Sequence, residues 1–126
     1  MSDVQSKRVL IIEDSKELVM SLITFLRPHG FVCTAAYDAV FGVSMAHKGE
    51  ADLIILDLGL PAGGGFFVLE NIKNSPATCT VPVIVLTAKP EKSFEDRAIK
   101  MGVAAYLHKP FEPEVLLEHI KKVLAT

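Results

Sequence analysis

The chain has 126 residues, of which 50% are hydrophobic and 22% charged, and its formal net charge is −2. That length suits one domain spanning 1–126, and that composition suits a packed core rather than disorder. With no Lys/Arg cluster the charge offers no basis for direct nucleic-acid binding, and no apolar run is long enough to cross a bilayer. The polar stretch from Met1 to Lys7 lacks the apolar core of a secretory signal, so a cytoplasmic location is expected. Cys33 and Cys79 have neither metal-type spacing nor a paired histidine, and two free thiols are expected.

In chain order, Arg8 to Ile12 is a continuous apolar run that ends in Glu13-Asp14-Ser15. Such runs, rich in β-branched residues and bounded by polar turns, suit strands buried on both faces. Ser15 is a candidate N-cap, and Leu18, Leu22, Phe25 and Leu26 follow at helical spacing until Pro28 and Gly30 close the helix. Phe31 to Ala36 reads as a second strand. Asp38 can cap a helix carrying Val40, Val43 and Ala46, with Gly49 beyond its end.

Leu53 to Asp57 is the third strand, four apolar residues running straight into a carboxylate. Pro61 and Gly63-Gly64-Gly65 then read as a flexible loop, and Phe66, Leu69 and Ile72 continue as a helix. Val81 to Ala88 reads as the fourth strand, with Pro82 at its entry, where a missing ladder donor is tolerated. Phe94, Ala98 and Met101 lie on a helix ended by Gly102. Ala104 to His108 is the fifth strand, and a final helix from about Glu112, with Pro113 in its first turn, aligns Leu116, Ile120, Val123 and Leu124.

Five alternations of strand and helix predict an α/β fold, a parallel five-stranded sheet with helices on both faces. In such a sheet every strand ends on the same edge, where ligands collect. The strand ends here deliver Glu13 and Asp14, then Asp57, then Thr87, then Lys109 followed by Pro110. Crowded carboxylates repel one another and favour a cation, and hard oxygen ligands suit Mg²⁺. Lys109 supplies positive charge for an anion, and Thr87 supplies a hydroxyl donor. Such a set can stabilise a transferring phosphoryl group while Asp57 attacks it. Each residue taken singly has a plain explanation as a cap, a solvated strand end or β-filling; the five together do not.

With those residues in place, the chain resembles a receiver domain of the two-component response-regulator family, from about Arg8 to Leu124. The matching motifs are Glu13-Asp14, Asp57-x-x-Leu60-Pro61 with Gly65 four residues later, Thr87-Ala88, and Tyr106-x-x-Lys109-Pro110-Phe111. The resemblance implies a flavodoxin-like, doubly wound sheet of order 2-1-3-4-5 with five helices. It implies that Asp57 accepts a phosphoryl group from a phosphohistidine on a sensor histidine kinase or phosphotransfer protein. Asp14, Asp57 and the Gly59 carbonyl would bind Mg²⁺, with Glu13 assisting. Lys109, Thr87 and the Ala88 backbone N–H would contact the phosphoryl oxygens, and the Lys109–Pro110 bond would be cis. Thr87 and Tyr106 would then switch the surface formed by the fourth helix, last strand and last helix. A downstream protein would read that surface, as a monomer or a phosphorylation-linked dimer. The domain would catalyse its own phosphorylation and dephosphorylation without being a conventional enzyme.

The chain departs from the family's usual pattern at several places. Leu60 stands where Met is frequent, and Ala104-Ala105 where acidic residues are common. Gly59 and Lys89 fall at the rim of the site, where the family tunes phosphoryl lifetime. A side-chain-free Gly59 suggests an open rim that admits water. Three other readings compete. A Mg²⁺-dependent aspartyl phosphatase would need a second Asp where Gly59 stands. A flavodoxin-like cofactor binder would find its phosphate repelled by Glu13-Asp14. A receiver fold working as a phosphorylation-independent interaction module shares every element, and only the intact acidic set argues against it. The four histidines, His29, His47, His108 and His119, are scattered and read as surface residues. With the last helix ending near Thr126, no output domain is expected in this chain.

Overall fold

A computed structural model describes residues 7–89 and 91–125. The polar segment before Lys7, read above for its lack of a signal, lies outside them. Ten principal elements alternate: β1 (Arg8–Ile12), α1 (Lys16–Leu26), β2 (Val32–Ala36), α2 (Ala39–Ala46), β3 (Leu53–Asp57), α3 (Gly64–Asn74), β4 (Val83–Thr87), α4 (Lys92–Lys100), β5 (Ala105–His108) and α5 (Pro113–Leu124). The strands form one parallel sheet of order β2-β1-β3-β4-β5. This is the expected doubly wound α/β arrangement.

Alternation along the central strands builds two cores. Leu10, Ile12, Ile54, Leu56, Val83 and Val85 face one way, onto Ala46, Phe66, Val68, Leu69, Ile72 and Ala98 of α2, α3 and α4. Val9, Ile11, Leu53, Ile55, Ile84 and Leu86 face the other way, onto Val19, Leu22 and Leu26 of α1 and Leu116, Leu117 and Ile120 of α5. Every residue of β3 and β4 is buried, which is why their sequences are apolar throughout rather than alternating. Each such side chain contributes about 1.5–3 kcal/mol through burial. Asp57 and Thr87, at the ends of these two strands, are thereby held on the most firmly packed part of the sheet.

The helices start as their sequences suggest. Ser15 Oγ accepts the Leu18 N–H at 3.2 Å and Asp38 Oδ1 accepts the Phe41 N–H at 2.8 Å, each satisfying one donor of a first turn. Some boundaries differ from the sequence reading. Phe31 precedes β2, Val81 and Pro82 precede β4, Ala88 follows it, and Ala104 precedes β5. Pairing partners, not apolar character, end those strands.

The triple glycine is the larger correction. Gly64 and Gly65 are buried in the first turn of α3, and only Gly63 has a left-handed backbone, with φ of 73°. A Cβ on Gly65 would lie 2.4 Å from the Leu58 Cα and carbonyl oxygen. Gly65 is thus there for close approach of α3 to the end of β3, not for loop flexibility. Cys33 and Cys79 are both free thiols.

Candidate functional site

The parallel strands bring the ends of β1, β3, β4 and β5 to one edge of the sheet. Asp57, the last residue of β3, is 5% exposed. Its Oδ1 accepts the Gly59 N–H at 2.8 Å, so the turn after the strand orients the carboxylate. Its Oδ2 lies 3.5 Å from Lys109 Nζ. Glu13 and Asp14, just past β1, complete an acidic cluster: ligand oxygens of Glu13, Asp14 and Asp57 all lie within 4.8 Å of one another. Glu13 is buried and Asp14 exposed. Among the described residues one ammonium, that of Lys109, pairs with Glu13 and Asp57, which leaves two of the three negative charges uncompensated when all are ionised. A hard divalent cation would supply the missing charge, so the donor set fits a metal of that kind.

Lys109 favours Glu13. Its Nζ donates to Glu13 Oε1 at 2.7 Å, closer than it comes to Asp57. The other Glu13 oxygen accepts the Ser15 N–H at 3.0 Å, so the N-cap residue of α1 also holds this carboxylate. Burial pushes the Glu13 carboxyl above its ordinary range; the charge of Asp57 adds to that, while the bonds from Lys109 and Ser15 oppose it. Sequence spacing did not disclose the Glu13–Lys109 pairing, because the partners are 96 residues apart. The Ser15 contact was half legible, since Ser15 was recognisable as a cap.

Thr87, the last residue of β4, is fully buried. Its Oγ1 accepts the Lys89 N–H at 3.0 Å, which leaves the hydroxyl proton free to donate. Ala88 is exposed beside it. At the rim, Gly59 is half-buried, and the Cε of the exposed Lys89 lies 3.7 Å from where a Gly59 Cβ would be. The Lys109–Pro110 peptide bond is cis.

Tyr106 stands apart from the acids. It lies on β5, beside β4, and packs against the core on the α4 side. Its hydroxyl is buried without a hydrogen-bond partner among the described residues. Burial raises the phenol pKa, with the charges of Glu95 and Glu91 on the α4 side adding to it. His108 meets the Tyr106 ring edge-on, with centroids 5.4 Å apart. His29, His47 and His108 are exposed and His119 half-buried, and none of them belongs to the acidic donor set.

The sequence matches the family described as "Response regulator receiver domain" over residues 9–121. It is 32% identical over 119 residues to the phosphate regulon transcriptional regulatory protein PhoB of Escherichia coli; the match covers 94% of this chain and 52% of that protein, so the chain spans about half the length of this relative. It is 30% identical over 118 residues to Protein PilH of Pseudomonas aeruginosa, covering 94% of this chain and 98% of that one. The fold superposes with a TM-score of 0.86, at 25% identity, on the receiver domain of sensor histidine kinase PA1611 from Pseudomonas aeruginosa; the match covers 96% of this chain and 99% of that one, and that crystal structure holds a magnesium ion in its active-site cleft. Family profile, curated relatives and solved structure agree with one another and with the strand order, and the chain belongs to the response regulator receiver domain family.

Proposed function

We propose that this domain is a phosphoacceptor switch in two-component signalling, with Asp57 as the residue phosphorylated. Receiver domains are signalling domains rather than conventional enzymes. The observation that carries the reading is the meeting of three carboxylates, one ammonium and one buried hydroxyl at the ends of four strands.

An Asp57 carboxylate oxygen attacks the phosphorus of a phosphohistidine on a kinase or phosphotransfer partner. The phosphorus–nitrogen bond breaks, an acyl phosphate forms, and the imidazole leaves on the partner. Glu13, Asp14, Asp57 and the Gly59 carbonyl would hold Mg²⁺, whose charge offsets that of the phosphoryl oxygens. Lys109 exchanges part of its contact with Glu13 for a phosphoryl oxygen. Thr87 donates its free hydroxyl proton to a second oxygen, and the Ala88 N–H to a third. Water attacking the same phosphorus later breaks its bond to the Asp57 oxygen, which releases inorganic phosphate and restores the carboxylate.

Phosphorylation matters only if it favours one arrangement over another. Moving an equilibrium from 1:99 to 99:1 takes about 5.5 kcal/mol of differential binding. Hydrogen bonds to charged groups contribute about 1.5–3 kcal/mol each, so contacts from Lys109, Thr87 and Ala88 are of the right size. Thr87 and Tyr106 lie on neighbouring strands, and the movement of Thr87 passes to Tyr106 and the α4-β5-α5 surface, which a downstream protein reads.

Intact mass after incubation with a small phosphodonor tests the reading, with and without Mg²⁺, on the wild type and Asp57→Asn. A Mg²⁺-dependent phosphoryl adduct that Asp57→Asn lacks is expected. A folded, Mg²⁺-binding protein that forms no adduct would overturn it in favour of an interaction module that works without phosphorylation.

A further inference from the structure

Burial anchors α4 weakly. Among the described residues it buries one side chain, Ala98, where α3 buries six residues. Phe94, in the first turn of α4, and Met101, just past its end, pack only partly against the core. α4 lies against β5, where His108 Nε2 comes within 3.8 Å of Glu95 Oε1, and side-chain contacts also tie it to α3. Arg97 Nη2 donates to Glu70 Oε2 at 2.6 Å. The same guanidinium stacks over Phe66, with Cζ 4.0 Å from the ring centroid. Phe66 in turn meets Phe94 edge to face, with centroids 5.2 Å apart.

Arg97 therefore holds α3 in two ways, by an in-plane bond to a carboxylate and by its face on an aromatic ring. A planar guanidinium can make both contacts at once; an ammonium cannot. Arg97 and Glu70 are each about half exposed, so charge alone is screened, and the ring beneath gives the pair its fixed geometry.

We propose that Arg97 is a positioning residue for the switch: its joint contact with Glu70 and Phe66 holds α4 against α3 in an arrangement that a phosphoryl group on Asp57 has to displace. This rests on the phosphoacceptor reading above. In the arrangement described, the Thr87 hydroxyl accepts the Lys89 N–H and Lys109 rests on Glu13. A phosphoryl group draws Thr87 and Lys109 toward itself. Only four residues separate Thr87 from α4, so that pull reaches the first turn of α4. Phe94 sits there, against the ring that Arg97 covers. A shift of Phe94 changes the seat of Arg97, and the tie to Glu70 resists it.

The test uses Arg97→Gln, Arg97→Lys, Glu70→Gln and the swap Arg97→Glu with Glu70→Arg. Amide hydrogen exchange across α4 is measured in each, and the affinity for trifluoroberyllate in Mg²⁺, a phosphoryl mimic, is measured by calorimetry. Arg97→Gln and Glu70→Gln should speed α4 exchange and tighten trifluoroberyllate binding by about twofold to fivefold, the range of a half-exposed pair. Arg97→Lys should fall between them and the wild type, and the swap should move back toward the wild type. Unchanged α4 exchange, or faster exchange with unchanged affinity, overturns the proposal. Weaker affinity also overturns it, because the tie would then favour the phosphorylated arrangement. A wild type that binds no trifluoroberyllate overturns the phosphoacceptor reading itself, a result distinct from any difference among the variants.

Discussion

β3 with α3 and β5 with α4 are both strand-and-helix pairs of one sheet, yet they are packed very differently. Every residue of β3 is buried, and α3 buries six of its eleven. In β5 three of four residues are half-buried and the fourth is exposed, and α4 buries one of nine. The first pair carries Asp57 and the glycine that lets α3 approach it. The second pair carries Tyr106 and Arg97. A nucleophile needs a fixed position, whereas a switch needs an element whose rearrangement costs little. On the phosphoacceptor reading proposed above, the packing would give the two tasks to the two halves of the sheet.

Truncating one core residue in each half tests that contrast most strongly. Ile55→Ala on β3 should cost about 4 kcal/mol, near the upper range for a closely packed aliphatic. Leu107→Ala on β5, half-buried, should cost about 1–2 kcal/mol, since it loses less burial and leaves less of a cavity. Urea unfolding of both variants measures the gap; equal losses would erase the distinction.

Two glycines sharpen the contrast at smaller scale. Gly65→Ala drives a Cβ to within 2.4 Å of the Leu58 backbone, and it should cost about 3 kcal/mol and displace the turn that orients Asp57. Gly102→Ala, just past α4, meets no atom within 4 Å and suffers only its positive φ of 87°. It should cost about 1 kcal/mol. Thermal unfolding ranks the pair, and Mg²⁺ binding should weaken in Gly65→Ala alone.

The smallest effect concerns charge on the rigid side. Burial, the largest cause, lifts the Glu13 carboxyl above its ordinary 4.5. The folded chain therefore holds this proton to higher pH than the unfolded chain does. Stability falls as pH rises from 4.5 through the raised value and is level beyond it. Glu13→Gln removes that slope. Melting temperatures without Mg²⁺, taken from pH 4 to neutrality, should show Glu13→Gln gaining on the wild type as pH rises through that window. A constant difference would mean that the bonds from Lys109 and Ser15 cancel the burial.

Most of the site was legible one strand end at a time. Glu13, Asp14, Asp57, Thr87 and Lys109 each follow an apolar run, and parallel strands finish on one edge, so their meeting could be read from the pattern. What each of them touches could not be read. Lys109 bonds Glu13 more closely than Asp57, Lys89 reaches toward Gly59, and Arg97 crosses to Glu70. The Gly63-Gly64-Gly65 stretch misled for a related reason: glycine permits both a flexible loop and a close approach, and only the position of Leu58 distinguishes them.

Local sequence set the alternation of strand and helix, the burial of β1, β3 and β4, and the side chains delivered to one edge of the sheet. These depend on hydrophobic period, caps and turn residues, which act over a few neighbouring positions. Tertiary structure alone decided which oxygen the Lys109 ammonium prefers, how closely α3 meets β3, and what holds α4 in place. Those outcomes depend on distances of a few ångströms between segments tens of residues apart, and only the packing of the whole sheet sets such distances.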